Sequence, residues 1–420
     1  MAVTDTAEAP GIRVRIIETP TLGDRSYLVT DGQVALVIDP QRDIDRLVAC
    51  AAEEGVRITH VAETHLHNDY ASGGLVLARS VGASYLMARG DTVAFDRTPI
   101  VDNEEIVVGR MTVTAMATPG HTVHHLAYAV SVGGRCVGVF TGGSMLYGAT
   151  GRSDLVSPEL AEDLTRDQYR SVRRLADVLD PATPVYPTHG FGSFCAASDA
   201  PVVDASTIGD ETAKNPALRI DKEDAFVKET LAGLSPYPRY YAHMNYLNQA
   251  GALPVDLSSL PPADSTTVAM RVGVGEWVVD LRSRQAFADG HLAGTVNIAV
   301  DEDSFASYLG WVVPWGSRLT LITDQPSQVA DAQRELARIG IDRPGAAFVG
   351  SIKMLVWPWE PRLFPITDFV GVAATSTQDS VKILDVRHGH EWRSGHIRQR
   401  LPRADATTQH TSLWNHHLPA

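Results

Sequence analysis

The sequence predicts an α/β protein of two or three domains, and three observations lead to that expectation. At 420 residues the chain exceeds what one ordinary core organises. Its first half alternates β-branched runs with helix-period runs. Beyond a stretch rich in proline and serine, one pattern recurs at a constant offset of 105, as VVDLRSRQAFADGHLAG (278–294) and ILDVRHGHEWRSGHIRQ (383–399).

Along the chain, IRVRIIE, SYLVT and VALVIDP are short β-branched runs set off by Gly and Asp turns, which predicts a hairpin-rich sheet. DIDRLVACAAEEG has apolar residues at helical spacing and ends on Gly55, a suitable C-cap. ITHVAET is a fresh strand that delivers the chain to ETHLHNDYASGG (63–74). MTVTAMATPGH, HLAYAVSV and RCVGVFTGG are later strands, each with histidine or glycine in its flanking turn, and 158–179 and 221–233 have helical spacing. ALPVDLSSLPPADSTT reads as a linker. The chain thus divides into 1–251, a linker 252–267, a domain 268–364 and a shortened unit 365–420.

Composition narrows the function classes. Hydrophobic residues are 44% and charged residues 20%, ordinary for a globular protein. A formal net charge of −14 with no Lys/Arg run argues against nucleic acid or an anionic membrane as partner. No apolar run approaches a membrane span, and MAVTDTAEAPG lacks the basic-then-apolar pattern of a secretory signal. Three scattered cysteines (Cys50, Cys136, Cys195) imply no disulfide framework and fit a reducing cytoplasm.

In the repeat, Asp280, Arg282, Gly290 and His291 match Asp385, Arg387, Gly395 and His396 without gaps. A period this long suits two copies of one small α/β domain rather than a solenoid, whose units run to roughly 20–50 residues. The second copy is cut short after GHI, either by a frameshift or premature stop or as a natural short tail.

The chemistry centres on His65, His67 and Asp69. Their alternation lets both rings and the carboxylate face one side of a turn, and imidazole and carboxylate suit zinc or non-haem iron. His121 ends a strand behind a Pro-Gly turn, and His189 ends another apolar run, so ligands distant in sequence could converge on one sheet edge.

On THLHNDY, ATPGHTVHHLAY, VFTGGSMLYGATGRSDL and YPTHG, residues 12–250 resemble the metallo-β-lactamase superfamily. Within it they are similar to the branch of persulfide dioxygenases and glyoxalase-II-type thioester hydrolases. The repeated DxR…GHxxG resembles the opening half of rhodanese domains. The implied fold is an αββα sandwich (1–251), then a rhodanese-like α/β domain (268–364) and a partial second one (365–420), the layout of persulfide dioxygenase–rhodanese fusions.

Two departures bear on mechanism. Tyr70 stands where the family motif ends in histidine, and Gly143 where it has a metal-binding aspartate. The resemblance then leaves His65, His67 and His121 to hold a single iron or zinc ion. Asp69 and Tyr70 are their catalytic neighbours, and Asp69 and His189 are remnants of a second site. Arg152, in GRSDL, is expected either to meet a substrate carboxylate such as glutathione's or to pair with Asp154. Asp280, Arg282, His291, Asp385, Arg387 and His396 are structural, and no sulfurtransferase activity is expected, because Thr323 or Asp324 stands where the rhodanese cysteine would be. Cys50 and Cys136 are expected in packing, and Cys195 is the one thiol expected near the metal edge. The leading expectation is a cytoplasmic iron-dependent dioxygenase acting on a small-molecule thiol persulfide. The alternatives are a zinc thioester hydrolase or an inactive sulfur-carrier-binding protein; a homodimer is left open.

Overall fold

The computed structural model describes residues 3–9, 11–198, 203–301, 304–356, 360–375, 381–386, 392 and 395–396. Strands β1 (Val3–Ala9), β2 (Ile12–Thr19), β3 (Asp24–Thr30) and β4 (Val34–Ile38) form an antiparallel meander. Helix α1 (Asp45–Glu54) leads to β5 (Arg57–Ala62), and α2 (Gly74–Val81) to β6 (Ser84–Ala88) and β7 (Thr98–Ile100). These three strands join in parallel and complete a seven-stranded sheet. Helix α1 stops where Gly55 turns left-handed at φ 67°, its N–H bonding back to Ala51 and Ala52, as the sequence predicts.

The second sheet is β8 (Glu105–Val108), β9 (Met111–Ala117), β10 (Leu126–Val132) and β11 (Arg135–Gly142), again antiparallel. A short hairpin, β12 (Met145–Leu146) and β13 (Ala149–Thr150), precedes α3 (Ala161–Val178). Helix α3 returns the chain to β14 (Val185–Pro187), which lies parallel to β11. The period of two sorts each strand's residues. Ile12, Val14, Ile16, Tyr27, Val29, Leu36 and Ile38 meet Val113, Ala115, Tyr128 and Phe140 between the sheets. Leu28, Ala35 and Val37 point the other way, onto α1 and α2. The second sheet's outer face carries α3, α4 (Ile208–Lys214), α5 (Pro216–Arg219) and α6 (Glu223–Gly233). Two sheets with helices outside each make the expected αββα sandwich.

Helix α7 (Tyr241–Ala250) leads out of the sandwich. Then α8 (Ser265–Gly273), β15 (Trp277–Asp280), α9 (Arg284–Asp289), β16 (Val296–Asn297), α10 (Phe305–Val312), β17 (Leu319–Thr323), α11 (Pro326–Arg338), β18 (Ala346–Val349) and α12 (Ile352–Val356) follow. Their strands form a parallel sheet in the order β16-β15-β17-β18. Its core runs on into the sandwich: Tyr70, Cys195, Tyr240 and Met244 pack with Phe305, Leu309, Val313 and Leu336.

The stretch predicted as a linker is docked rather than free. The N–H of Ala263 bonds to the carbonyl of Ala347, and that of Ala347 to the carbonyl of Pro261, so this segment lies along β18. Helix α8 also starts inside it, because Asp264 accepts from the N–H of Thr267 as an N-cap.

The repeated motif is a loop staple. Arg282 binds both oxygens of Asp280 and donates to the carbonyl of Gly290, while His291 donates Nδ1–H to the Phe287 carbonyl and stacks on that ring at 3.9 Å. His396 repeats the last feature, bonding to Trp392 and stacking on it at 3.8 Å. Arg387 lies outside the described residues, and so does most of 365–420, in which α13 (Phe369–Thr375) buries no residue.

Candidate metal centre

One edge of the sandwich collects the chemistry. The chain enters β3 at Asp24, leaves β4 at Asp39, and leaves β5 for the segment Glu63–Tyr70. Nearby it turns after β9 to His121, ends β11 at Gly142 and Gly143, and leaves β14 for His189. All four histidines of the expected site are at most 1% exposed.

Donor atoms gather within 4.8 Å of one another in three sets among the described residues: His65, His121 and His189; His67, Asp69 and His189; and Asp39, Glu63 and His67. The expected trio of His65, His67 and His121 is not one of them. His189 stands in the first set where His67 was expected, and each ring of that set is anchored at Nδ1. The Thr64 hydroxyl donates to Asp39 Oδ2 at 2.7 Å, so it accepts from His65 Nδ1–H at 2.8 Å. His121 Nδ1–H donates to the Arg152 carbonyl at 2.7 Å. His189 Nδ1–H sits 2.9 Å from Asp24 Oδ1 and 3.0 Å from Asp69 Oδ2. Each ring is held by Nδ1 with Nε2 on the far side, and the Nε2 atoms of His65 and His189 face each other at 3.3 Å. An oxygen on the far nitrogen is how ligating histidines are fixed in tautomer and direction.

His67 is anchored by its other nitrogen, which leaves its Nδ1 without a partner. Its Nε2 lies 3.1 Å from Glu63 Oε2, 3.3 Å from Asp39 Oδ1 and 2.9 Å from the Tyr70 hydroxyl. Tyr70 therefore occupies the position of the family histidine as a brace: its ring stacks on His67 at 4.2 Å and its hydroxyl also reaches the Asp39 carbonyl. The Asp39–Glu63–His67 set is saturated, since Thr64, Thr188, Ser72 and Tyr85 already donate to its carboxylates. Asp24, Asp39 and Glu63 were not singled out in the sequence. The one available signal was an Asp-Pro ending an apolar strand, where Asp39 takes φ 51°.

Burial and neighbouring charge divide the protonation states. Burial, then the charge of His189, pushes His121 down to about 3, and burial with the adjacent imidazoles lowers His65. Both are thus neutral and able to ligate. Burial opposes charge on His189 and His67, but Asp69 and Asp24 raise His189 to about 10, and Asp39 and Glu63 raise His67 to about 9. Burial and the nearby Asp69 raise Asp24 to about 8; Asp69, although buried, is held low by His189.

Gly143, the second departure, is where the His121 ring lies. A Cβ on Gly143 would stand 2.1 Å from His121 Cδ2, and one on Gly151 2.7 Å from Nδ1, so the ring sits between two glycines. The backbone N–H of Gly143 donates to His125 Nε2 at 3.0 Å, and His125 Nδ1 is 2.8 Å from the Thr118 hydroxyl.

Arg152 is 1% exposed, pairs with Asp154, and donates to the carbonyls of Phe194 and Ser235. Its guanidinium is committed to joining loops and is not offered to a substrate; its carbonyl orients His121. Burial, then the charge of Asp69 and Asp24, pushes the Cys195 thiol up, which suits packing against Tyr241. In the second domain Thr323 bonds to Gln328 in the loop after β17, and no cysteine of the chain lies in that domain.

His121 Nε2, His67 Nδ1, Asp69 Oδ1 and Asp24 Oδ2 are buried without a hydrogen-bond partner. Each such atom costs about 1–3 kcal/mol. Two neutral imidazoles, His65 and His121, and a third, His189, that would give up its Nε2 proton on binding fit a zinc or iron ion, which would satisfy His121 directly.

No family model matches the chain. It is 29% identical over 239 residues to the hydroxyacylglutathione hydrolase of Cereibacter sphaeroides, which covers 49% of this chain and 87% of that protein. It is 27% identical over 212 residues to the mitochondrial persulfide dioxygenase of Homo sapiens, covering 50% and 74%. Among solved structures, a metallo-β-lactamase from Staphylococcus aureus superposes with a TM-score of 0.72 at 26% identity, covering 82% of this chain and all of that one. The chain thus has relatives in the metallo-β-lactamase superfamily and that superfamily's fold. No helix among the described residues is long and apolar enough to cross a membrane.

Proposed function

We propose that the chain is a mononuclear metalloenzyme of sulfur metabolism, a dioxygenase acting on a small thiol persulfide at an iron held by His65, His121 and His189. The observation that carries this reading is the convergence of three imidazoles whose Nδ1 atoms are each fixed by an oxygen. Gly143 removes the aspartate that would bridge two ions, which favours single-ion chemistry. An iron on three imidazoles supplies open positions for sulfur and dioxygen. The chain's own residues do the rest. Asp24 and Asp69 hold the proton on His189 Nδ1, Thr64 and the Arg152 carbonyl aim the other two rings, and near-complete burial excludes bulk water.

The second reading is a zinc thioester hydrolase, favoured by the hydroxyacylglutathione hydrolase relative. A zinc on three histidines supplies a bound water with a pKa of about 7. One experiment separates the two. Protein purified anaerobically is assayed for iron and zinc, for oxygen uptake with glutathione persulfide, and for hydrolysis of S-lactoylglutathione. Iron with oxygen uptake supports the first reading; zinc with hydrolysis replaces it by the second. Folded protein that binds neither metal after reconstitution overturns both and leaves a carrier-binding role.

A further inference from the structure

The second domain has no thiol, yet it is built against the loop that carries the metal-site motif. Helix α11 ends at Arg338, whose carbonyl, one of the groups a helix end leaves unpaired, accepts the N–H of Ala71 at 2.7 Å. Ala71 directly follows Tyr70. The side chain of Arg338 is 7% exposed and grips Asp43 at 2.8 Å. Helix α10 reaches the loop through Tyr240. The Tyr240 hydroxyl donates to the Asp69 carbonyl at 2.8 Å. A Cβ on Gly310 would lie 2.2 Å from the Tyr240 ring, so only glycine lets α10 come this close.

Resting on the reading of His65, His121 and His189 as a metal centre, we propose that the second domain is the outer wall of that centre. Tyr240 and the Arg338 carbonyl fix the 67–72 loop, so the docking of α10 and α11 sets how tightly the ion is held. The domain's contribution to the reaction is then positional. The loop carries Asp69, which holds His189 Nδ1 together with Asp24; a loop that drifts withdraws that carboxylate and leaves Asp24 alone to direct His189. Outer partners of this kind are worth roughly 10–100-fold in metal affinity. The same wall accounts for the continuous apolar core from Tyr70 through Tyr240 to Leu309 and Leu336.

The test uses the full chain. Tyr240→Phe removes only the bond to the Asp69 carbonyl, Gly310→Val wedges α10 off the ring, and Arg334→Ala breaks a more exposed ion pair with Asp45 on the same interface. Zinc affinity is measured by chelator competition, the cobalt-substituted protein gives a d–d spectrum, and thermal unfolding is followed on the same samples. Expected are at least tenfold weaker zinc binding and a shifted cobalt spectrum for Tyr240→Phe and Gly310→Val, with Arg334→Ala within twofold of wild type. If Gly310→Val does not fold, Tyr240→Phe alone decides. Unchanged affinity and spectrum in Tyr240→Phe overturn the wall while leaving the centre intact. Wild-type protein that holds no ion overturns the centre itself, and the wall with it.

Discussion

Replacing Gly143 by aspartate restores the residue found in related sites, and the packing predicts that it damages this one. The new Cβ would stand 2.1 Å from His121 Cδ2, whereas ordinary contact starts at 3.4 Å, so the ring must retreat by about 1.3 Å (3.4 − 2.1). Gly151 crowds the ring from its own side, so the retreat is made at the expense of the 2.7 Å bond from Nδ1 to the Arg152 carbonyl, which lengthens by up to that amount. Overpacking costs about 1–3 kcal/mol and the buried hydrogen bond about 1 kcal/mol more. The expected loss of stability is therefore on the order of 2–4 kcal/mol, measured by urea unfolding of metal-free protein. Zinc affinity should fall at least tenfold by chelator competition, because His121 no longer points at the ion. Gly143→Ala should share most of both losses, since the Cβ alone makes the clash. A Gly143→Asp protein as stable as wild type that binds its ion more tightly would refute the argument and show that the carboxylate has become a ligand.

Tyr70→Phe loses the contacts to His67 Nε2 and the Asp39 carbonyl, a cost of about 1 kcal/mol in urea unfolding, with metal content unchanged; loss of the ion would make Tyr70 a ligand. Burial raises the Asp91 carboxyl to about 7, against an unfolded value of about 3.9, with Arg97 opposing. A pKa raised on folding gives stability that is full below about pH 4 and lost as pH rises through about 7. Asp91→Asn should therefore flatten the fall in thermal midpoint between those values, and an unchanged slope would count against the assignment.

What the sequence made legible was position along the chain. Strand periodicity located the sheet edge, and the Pro-Gly turn before His121 and the apolar run before His189 placed both rings on it. Ring direction was not legible. Carboxylates take Nδ1 of His189 but Nε2 of His67, and Asp24, Asp39 and Glu63 come from different parts of the chain with no shared spacing. Nor does Gly143 announce itself as the space for a ring: in the sequence it reads as a ligand lost, and only its distance to His121 shows otherwise. The stretch 252–267 has linker composition, but composition carries no information about Ala263 pairing with Ala347. The repeat motif was readable because Asp280, Arg282 and His291 act within one loop, where spacing and contact coincide.

The central claim is that His189, rather than His67, completes the ligand set with His65 and His121. Metal content of His189→Ala and His67→Ala, each purified folded and reconstituted with one equivalent of zinc or iron, tests it most directly. The account predicts that His189→Ala retains almost no ion while His67→Ala retains most of it. The reverse pattern would contradict it and return the centre to the trio that the motif spacing suggested.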